Sequence, residues 1–174
     1  MGLAADISYR HPRPNPVQRA VQSFASTKPG AWTFSKTLPA LDRGMSRITK
    51  GRTSLPRLLA ALPVLVLTST GRKSGLQRET YLIAVPLGDD LALLGTNFGQ
   101  AGTPAWVHNL EADPRAALTH HGITRDVVAR PATEDEREQV LANSTGIYSG
   151  YVKYQQRITG RRLRIFVLES APAA

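Results

Sequence analysis

The sequence predicts a mostly β fold with added helices (α+β), a largely antiparallel barrel of five or six strands. Three observations lead there. Short apolar runs rich in Val, Ile, Thr and Tyr recur from Val64 onward and are joined by Gly-centred turns. Helical patterns separate only some of these runs, so the regular strand–helix alternation of a parallel sheet is missing. With 174 residues, 41 % of them hydrophobic, the chain can bury one substantial core.

The elements follow in order. Residues 1–14 are polar and punctuated by proline, which predicts a loose arm. Asn15 as N-cap, Pro16 in the first turn, and Val17, Val21 and Phe24 on one face predict a short helix to Ser26. Phe34, Leu38, Leu41, Met45 and Ile48 then form one apolar stripe, with Lys36, Arg43, Arg47 and Lys50 opposite. That is a basic amphipathic helix over residues 34–50, so residues 15–60 form a basic helical segment ahead of a barrel domain spanning 61–174.

Strands are predicted over Val64–Thr70, Arg78–Leu87 and Leu91–Thr96, with Gly88-Asp89-Asp90 as the hairpin between the last two. Thr103 as N-cap and Pro104 at the first helical position start a helix that runs to Ala112. Arg115–His121 and Ile123–Arg130 form a second hairpin about Gly122. Thr133 followed three residues later by Glu136 is a capping box, opening a helix to about Ala142, and Glu134, Asp135, Glu136 and Glu138 read as its solvated acidic start. A helical stretch over Tyr148–Ile158 and a final strand over Leu163–Leu168 complete the pattern.

Composition narrows the function. The chain lacks cysteine, which excludes disulfides, thiolate metal sites and a cysteine nucleophile, and fits a cytoplasmic location. It shows neither a secretory leader nor an apolar run long enough to span a bilayer. The formal charge of +9 is uneven: residues 1–60 carry ten Lys/Arg against two Asp, and the remainder twelve against eleven acidic residues. Such a basic third favours anionic partners: nucleic acid, an anionic membrane surface or a charged small molecule.

Three stretches could carry chemistry. The first is Gly71-Arg72-Lys73-Ser74-Gly75, with Arg78 shortly beyond. It is not a P-loop, because Arg72 stands where a glycine must precede the lysine. A glycine-flanked turn can still aim backbone N–H groups, two cations and a hydroxyl at one anion, although composition alone equally allows a solvated hairpin. The second runs from Gly95 to Leu110, where glycines permit close backbone approach and Trp106 and Asn109 share a helical face. Trp106 could line a site or pack in the core. The third is the triplet Tyr148, Tyr151 and Tyr154, whose spacing suits either a packing stripe or the wall of an apolar pocket. His108, His120 and His121 match no metal motif, so no metal site is expected.

At these stretches the chain resembles the deazaflavin-dependent nitroreductase family. The matching pieces are LTSTGRKSG with QRETYL, then GTNFGQAGTPAWVHNLEADPRA, then IYSGYVKYQQRITGRRLRIFVLE. The resemblance implies a split β-barrel of the FMN-binding, pyridoxamine-oxidase-like kind. Its implied cofactor is coenzyme F420, a deazaflavin with a phosphodiester and a γ-linked oligoglutamate tail; FMN or haem is the alternative. By resemblance, Arg72, Lys73, Ser74, Gly75 and Arg78 hold the phosphate and tail carboxylates. Thr96, Asn97, Trp106 and Asn109 lie along the cofactor, and Tyr148, Tyr151 and Tyr154 enclose a small-molecule electron acceptor such as a quinone, enone or nitroaromatic. Nucleic acid is not an expected partner, whereas a homodimer and peripheral contact with the inner face of the membrane are compatible. Tyr81 and Phe98 depart from the family pattern, where proline and a small residue are common, and both would reshape the pocket.

Overall fold

The computed structural model describes residues 2–10, 27, 63–147, 150–158 and 160–172. Six strands form a closed barrel: β1 (Val64–Thr70), β2 (Gln77–Leu87), β3 (Asp90–Leu94), β4 (Arg115–His120), β5 (Ile123–Pro131) and β6 (Ile165–Ser170). Their order around the barrel is β1-β2-β3-β6-β5-β4, and every neighbouring pair is antiparallel. The expected antiparallel barrel is therefore the one formed. Alternation drives it: along β1, Leu65, Leu67 and Ser69 point inward and are buried, while their neighbours are partly exposed.

Two-residue hairpins fix the register. His120 pairs with Ile123, and the intervening His121 and Gly122 both take positive φ, 52° and 81°, as a type I′ turn requires. Leu87 pairs with Asp90 across Gly88, whose φ of 59° opens the turn. β2 changes partner midway. Its first half, through Ile83, pairs with β1, and from Ala84 onward it pairs with β3.

Helices close the barrel. The described ones are α1 (Leu3–Asp6), α2 (Ala105–Ala112), α3 (Glu134–Ile147) and α4 (Gly150–Arg157), with a 3-10 turn at Asn97–Gly99. The α3 capping box forms as read: Glu136 N–H donates to Thr133 Oγ1 at 3.3 Å, and Thr133 N–H to Glu136 Oε2 at 2.8 Å. α3 continues beyond Ala142 to Ile147, and Pro104 sits at the N-cap of α2 rather than at its first helical position. β3 stops at Leu94, short of Thr96: Gly95 N–H still bonds Arg164 O at 2.9 Å in the β3–β6 register, and the chain then turns away where Thr96 N–H donates to Leu94 O at 2.8 Å. β6 starts at Ile165, two residues later than its sequence pattern predicts.

The loose arm needs correction for residues 2–10. Leu3, Ile7 and Tyr9 are buried in the barrel core. The Tyr9 hydroxyl accepts from Ala84 N–H at 2.8 Å and donates to Ala84 O at 3.0 Å. It thus takes over the ladder position that β1 vacates where its pairing ends at Val64 and Ile83. Ile7 O bonds the His120 ring at 3.1 Å, and Ala4 N–H reaches Asp89 O at 3.4 Å. The predicted helices over 16–26 and 34–50, with nearly all of the 15–60 segment, lie outside the described residues.

Antiparallel topology sorts the loops by barrel end. The C-terminal ends of β1, β3 and β5 and the N-terminal ends of β2, β4 and β6 share one end. That end collects the 71–76 loop, the 95–104 loop, α2 and the segment leading into β6. The opposite end holds the two tight hairpins and is closed by residues 2–10.

Candidate functional site

The cation loop is a built turn. Gly75 N–H and Ser74 N–H both donate to Gly71 O, at 2.8 and 3.1 Å, and Gly71 N–H donates to Leu76 O at 2.8 Å. A β-carbon at Gly71 would lie 2.8 Å from Ser74 Oγ and 3.1 Å from Leu76 O, so the first glycine is required by close approach. Gly75, with φ of 65°, serves the second requirement, a left-handed residue at the exit. Arg78 Nη2 and Leu76 N–H both reach Ser74 Oγ at 3.4 Å, which gathers Arg78 onto the loop. Arg72, Lys73, Ser74, Gly75 and Arg78 are all exposed, and no acidic side chain pairs with these cations among the described residues.

Asn109 anchors that loop from α2. Its buried amide accepts from Arg72 N–H at 3.1 Å and donates to Ser69 Oγ at 3.3 Å, so one side chain ties the helix to the end of β1 and to the loop's first residue. Ser69 and this tie had no signal in the sequence. Trp106, one turn before Asn109, is buried in the core with its ring edge-on to Phe166, centroids 6.1 Å apart.

The second loop is clasped from the C-terminal side. Arg161 donates to three carbonyls, those of Gly95 (3.0 Å), Thr96 (3.2 Å) and Gln100 (3.3 Å). Burial, and after it the charge of Arg164, lowers the Arg161 pKa from its ordinary value. Within the loop, Asn97, Phe98 and Gly99 all take positive φ, of 47°, 55° and 75°, and the Asn97 side-chain amide donates to Gly102 O at 2.9 Å. Thr96 is buried. Arg161 is a functional candidate that sequence reading missed: three arginines follow Gly160 within four residues, and nothing in the pattern marks the one that turns inward.

Of the tyrosines, Tyr148 lies outside the described residues. Tyr151 and Tyr154 come together in a second apolar cluster with Val85, Leu94, Val140 and Ile165. The Tyr151 hydroxyl donates to Ile83 O at 3.1 Å, at the point where β2 changes partner. Burial, then the neighbouring Tyr154, pushes its pKa well above the ordinary value, so it is a neutral donor at physiological pH. Tyr154 is also buried, with Phe98 edge-on at 6.1 Å and the Arg157 guanidinium 5.9 Å from its ring centre. Phe98 itself stays 38 % exposed.

Two readings of charged residues change. Glu136 is not a merely solvated helix start. Arg130 grips it through Nη1 and Nη2 at 2.7 and 2.6 Å, which holds its pKa down to about 2, and reaches Glu169 through Nε at 2.6 Å. Glu134 pairs with Arg162. Among the described residues, no group of three or more His, Asp or Glu could hold a metal ion, and no helix is long and apolar enough to cross a membrane.

What this end of the barrel offers is an exposed cationic turn beside a glycine-rich loop and a buried tyrosine pair. It can hold an anionic handle and face an apolar ring, and no nucleophile paired with a base stands there among the described residues. The chain is similar to known proteins in sequence and in fold. Residues 42–170 match the family described as F420H(2)-dependent quinone reductase. An F420H(2)-dependent quinone reductase of Mycobacterium tuberculosis is 30 % identical over 132 residues, 74 % of this chain and 87 % of that protein. A putative quinone reductase of the same description from Mycobacterium bovis matches equally. The structure of an F420-H2-dependent reductase (FDR-A) superimposes with a TM-score of 0.56 at 29 % identity, covering 62 % of this chain and 94 % of that one. A chain described as a domain-swapped dimer superimposes with a TM-score of 0.58 at 27 % identity, over 82 % of this chain and all of the other.

Proposed function

The chain belongs to the F420H(2)-dependent quinone reductase family, and from that premise we propose that it is an oxidoreductase that uses reduced coenzyme F420 to reduce a quinone-type acceptor. The observation that carries the assignment of the site is the exposed turn at Arg72, Lys73 and Arg78, gathered by Ser74 and anchored by Asn109, with no acidic partner among the described residues. These residues fit the group. Its phosphodiester and glutamate carboxylates need cations free to take them, and Gly71 and Gly75 let the turn present backbone N–H groups as well.

Bound there, the reduced deazaflavin supplies a hydride. The protein's own residues bind, orient and shield. Arg72, Lys73 and Arg78 hold the anionic tail, with the Ser74 hydroxyl beside them. Asn109 positions Arg72 through its main chain. Thr96 and Asn97 shape the loop over the ring, and Trp106 supports that loop from the core. Tyr154 and Tyr151, with Tyr148, form the apolar side toward the acceptor, and the burial of Tyr151 keeps its phenol protonated. Neither a protein nucleophile nor a metal ion is needed, because positioning and water exclusion suffice.

Two finer expectations rest on less. Contact of the basic N-terminal third with an anionic membrane surface is supported by its charge alone, and sedimentation with anionic vesicles at low and high salt tests it. A homodimer has support from the domain-swapped structural relative.

The central test is titration of the purified protein with oxidised F420, FMN and haem, followed by anaerobic turnover of reduced F420 with naphthoquinone. Micromolar F420 binding and return of its visible absorbance are expected. Binding of FMN or haem alone would overturn the assignment.

A further inference from the structure

We propose that the Asn97–Gly99 turn is the specificity-determining element of the acceptor site. It holds the Phe98 ring out beside Tyr154 as a flat wall for a fused-ring quinone, and Arg161 is the positioning residue that keeps it there. The acceptor's class rests on the functional reading above; the wall itself rests on backbone geometry.

Phe98 adopts φ 55° and ψ 24°. Asparagine tolerates this left-handed region and glycine is at home in it, but a β-carbon with an aromatic ring is not. The loop already uses glycine at 95, 99 and 102, so a relaxed residue is chemically close at hand and the strained one stands instead. Such conformations survive where their surroundings over-determine them, and they gather at ligand sites.

Here three restraints act together. Arg161 spans the carbonyls of Gly95, Thr96 and Gln100 on both sides of the turn. Asn97 closes it onto Gly102 O. Gly99 lies so close to α4 that a β-carbon there would sit 3.2 Å from Arg157 Cβ and 3.3 Å from Tyr154 Cα. The nearby Arg162 and Arg164 pair with surface carboxylates, whereas Arg161 turns both Nη1 and Nη2 onto this backbone.

The result is a rigid aromatic corner. Phe98 and Tyr154 meet edge-to-face at 69°, and Tyr154 is buried, so the surface this pair offers to a ligand is the Phe98 ring. A planar acceptor with two fused rings would stack on it over more area than a single-ring one.

Phe98→Gly removes the ring and suits the backbone, so the fold is retained. Its melting temperature should not fall, and its F420 affinity should stay within about twofold. KM for naphthoquinone should rise about tenfold, while KM for benzoquinone changes by less than about threefold. Equilibrium dialysis of naphthoquinone against the protein alone should show the same loss. Phe98→Tyr should restore both values, and Arg161→Lys, which cannot span three carbonyls with a planar fork, should lose naphthoquinone preferentially. Equal losses for both quinones, no change, or a fall in naphthoquinone KM would overturn the inference. The dialysis needs no cofactor, so failure of the wild-type protein to bind F420 would strike the functional reading and leave this wall still tested.

Discussion

At the scale of single residues, the cation loop divides its labour between side chains that hold and side chains that place. Arg72 and Lys73 are exposed and make no intramolecular ion pair among the described residues, so replacing both with alanine should leave the melting temperature unchanged within about 1 °C. F420 affinity should fall by about 10–100-fold, the loss expected for one or two charge-assisted contacts. The wild-type affinity should also weaken with added salt more steeply than that of the variant, which keeps only Arg78. An unchanged dissociation constant in that variant would remove the proposed tail site. Asn109→Ala should behave differently. It leaves Arg72 N–H and Ser69 without their partner, costing about 1–3 kcal/mol of stability as well as weakening the cofactor. Thermal melting with parallel F420 titration separates the two classes. Arg72, Lys73 and Ser74 could be picked out from the sequence because glycines bracket them. The placing role of Asn109 could not, since its contacts lie 37 and 40 residues away.

At the scale of elements, alternation and caps made the strands and α3 readable, and tertiary hydrogen bonds set what was misjudged. β3 ends early because Thr96 N–H turns back onto Leu94 O, and the tyrosine stripe becomes specific only where β2 changes partner. The stripe's spacing announced a packed helix face, but a hydroxyl aimed at Ile83 O depends on a bend in another element. Tyr151→Phe should therefore destabilise the protein by about 1 kcal/mol, the cost of leaving a part-buried carbonyl without its donor, measured by urea unfolding. The pH dependence has a definite sign. The folded pKa of Tyr151 is raised above the ordinary 10.0, so its contribution is complete below pH 10.0 and is lost as pH rises from there toward the folded value. Tyr9 is raised in the same direction, chiefly by burial. Stability should therefore fall above about pH 10, and less steeply in Tyr151→Phe. Glu136 acts at the other extreme. Its pKa is lowered from 4.5 to about 2 by Arg130 first and by the capping N–H of Thr133 next, so its contribution is present above pH 4.5 and disappears as pH falls toward 2. Glu136→Gln should flatten the acid limb of the stability curve, and an unchanged limb would show that another carboxylate governs it.

At the scale of the whole molecule, the barrel separates what holds it together from what it binds. One end carries the cation loop, the glycine-rich loop and α2. The other is closed by residues 2–10, whose polar, proline-followed sequence concealed three core side chains among short-range noise. The cause is a topological gap rather than a local pattern: β1 runs out of ladder at Val64, and Ala84 finds its partner in a phenol 75 residues earlier in the chain. If that division is real, damage to the closed end should cost stability and spare the site. Tyr9→Phe keeps the ring and deletes only the hydroxyl, stranding the buried N–H and C=O of Ala84. The expected loss is about 2–4 kcal/mol, which for a chain of this length lowers the melting temperature by roughly 5–15 °C. F420 affinity and the ratio of naphthoquinone to benzoquinone turnover, measured well below that melting point, should stay at wild-type values. A variant that melts normally but binds F420 poorly would mean that residues 2–10 reach the site through the barrel wall. One that loses both together would mean that the two ends do not act independently.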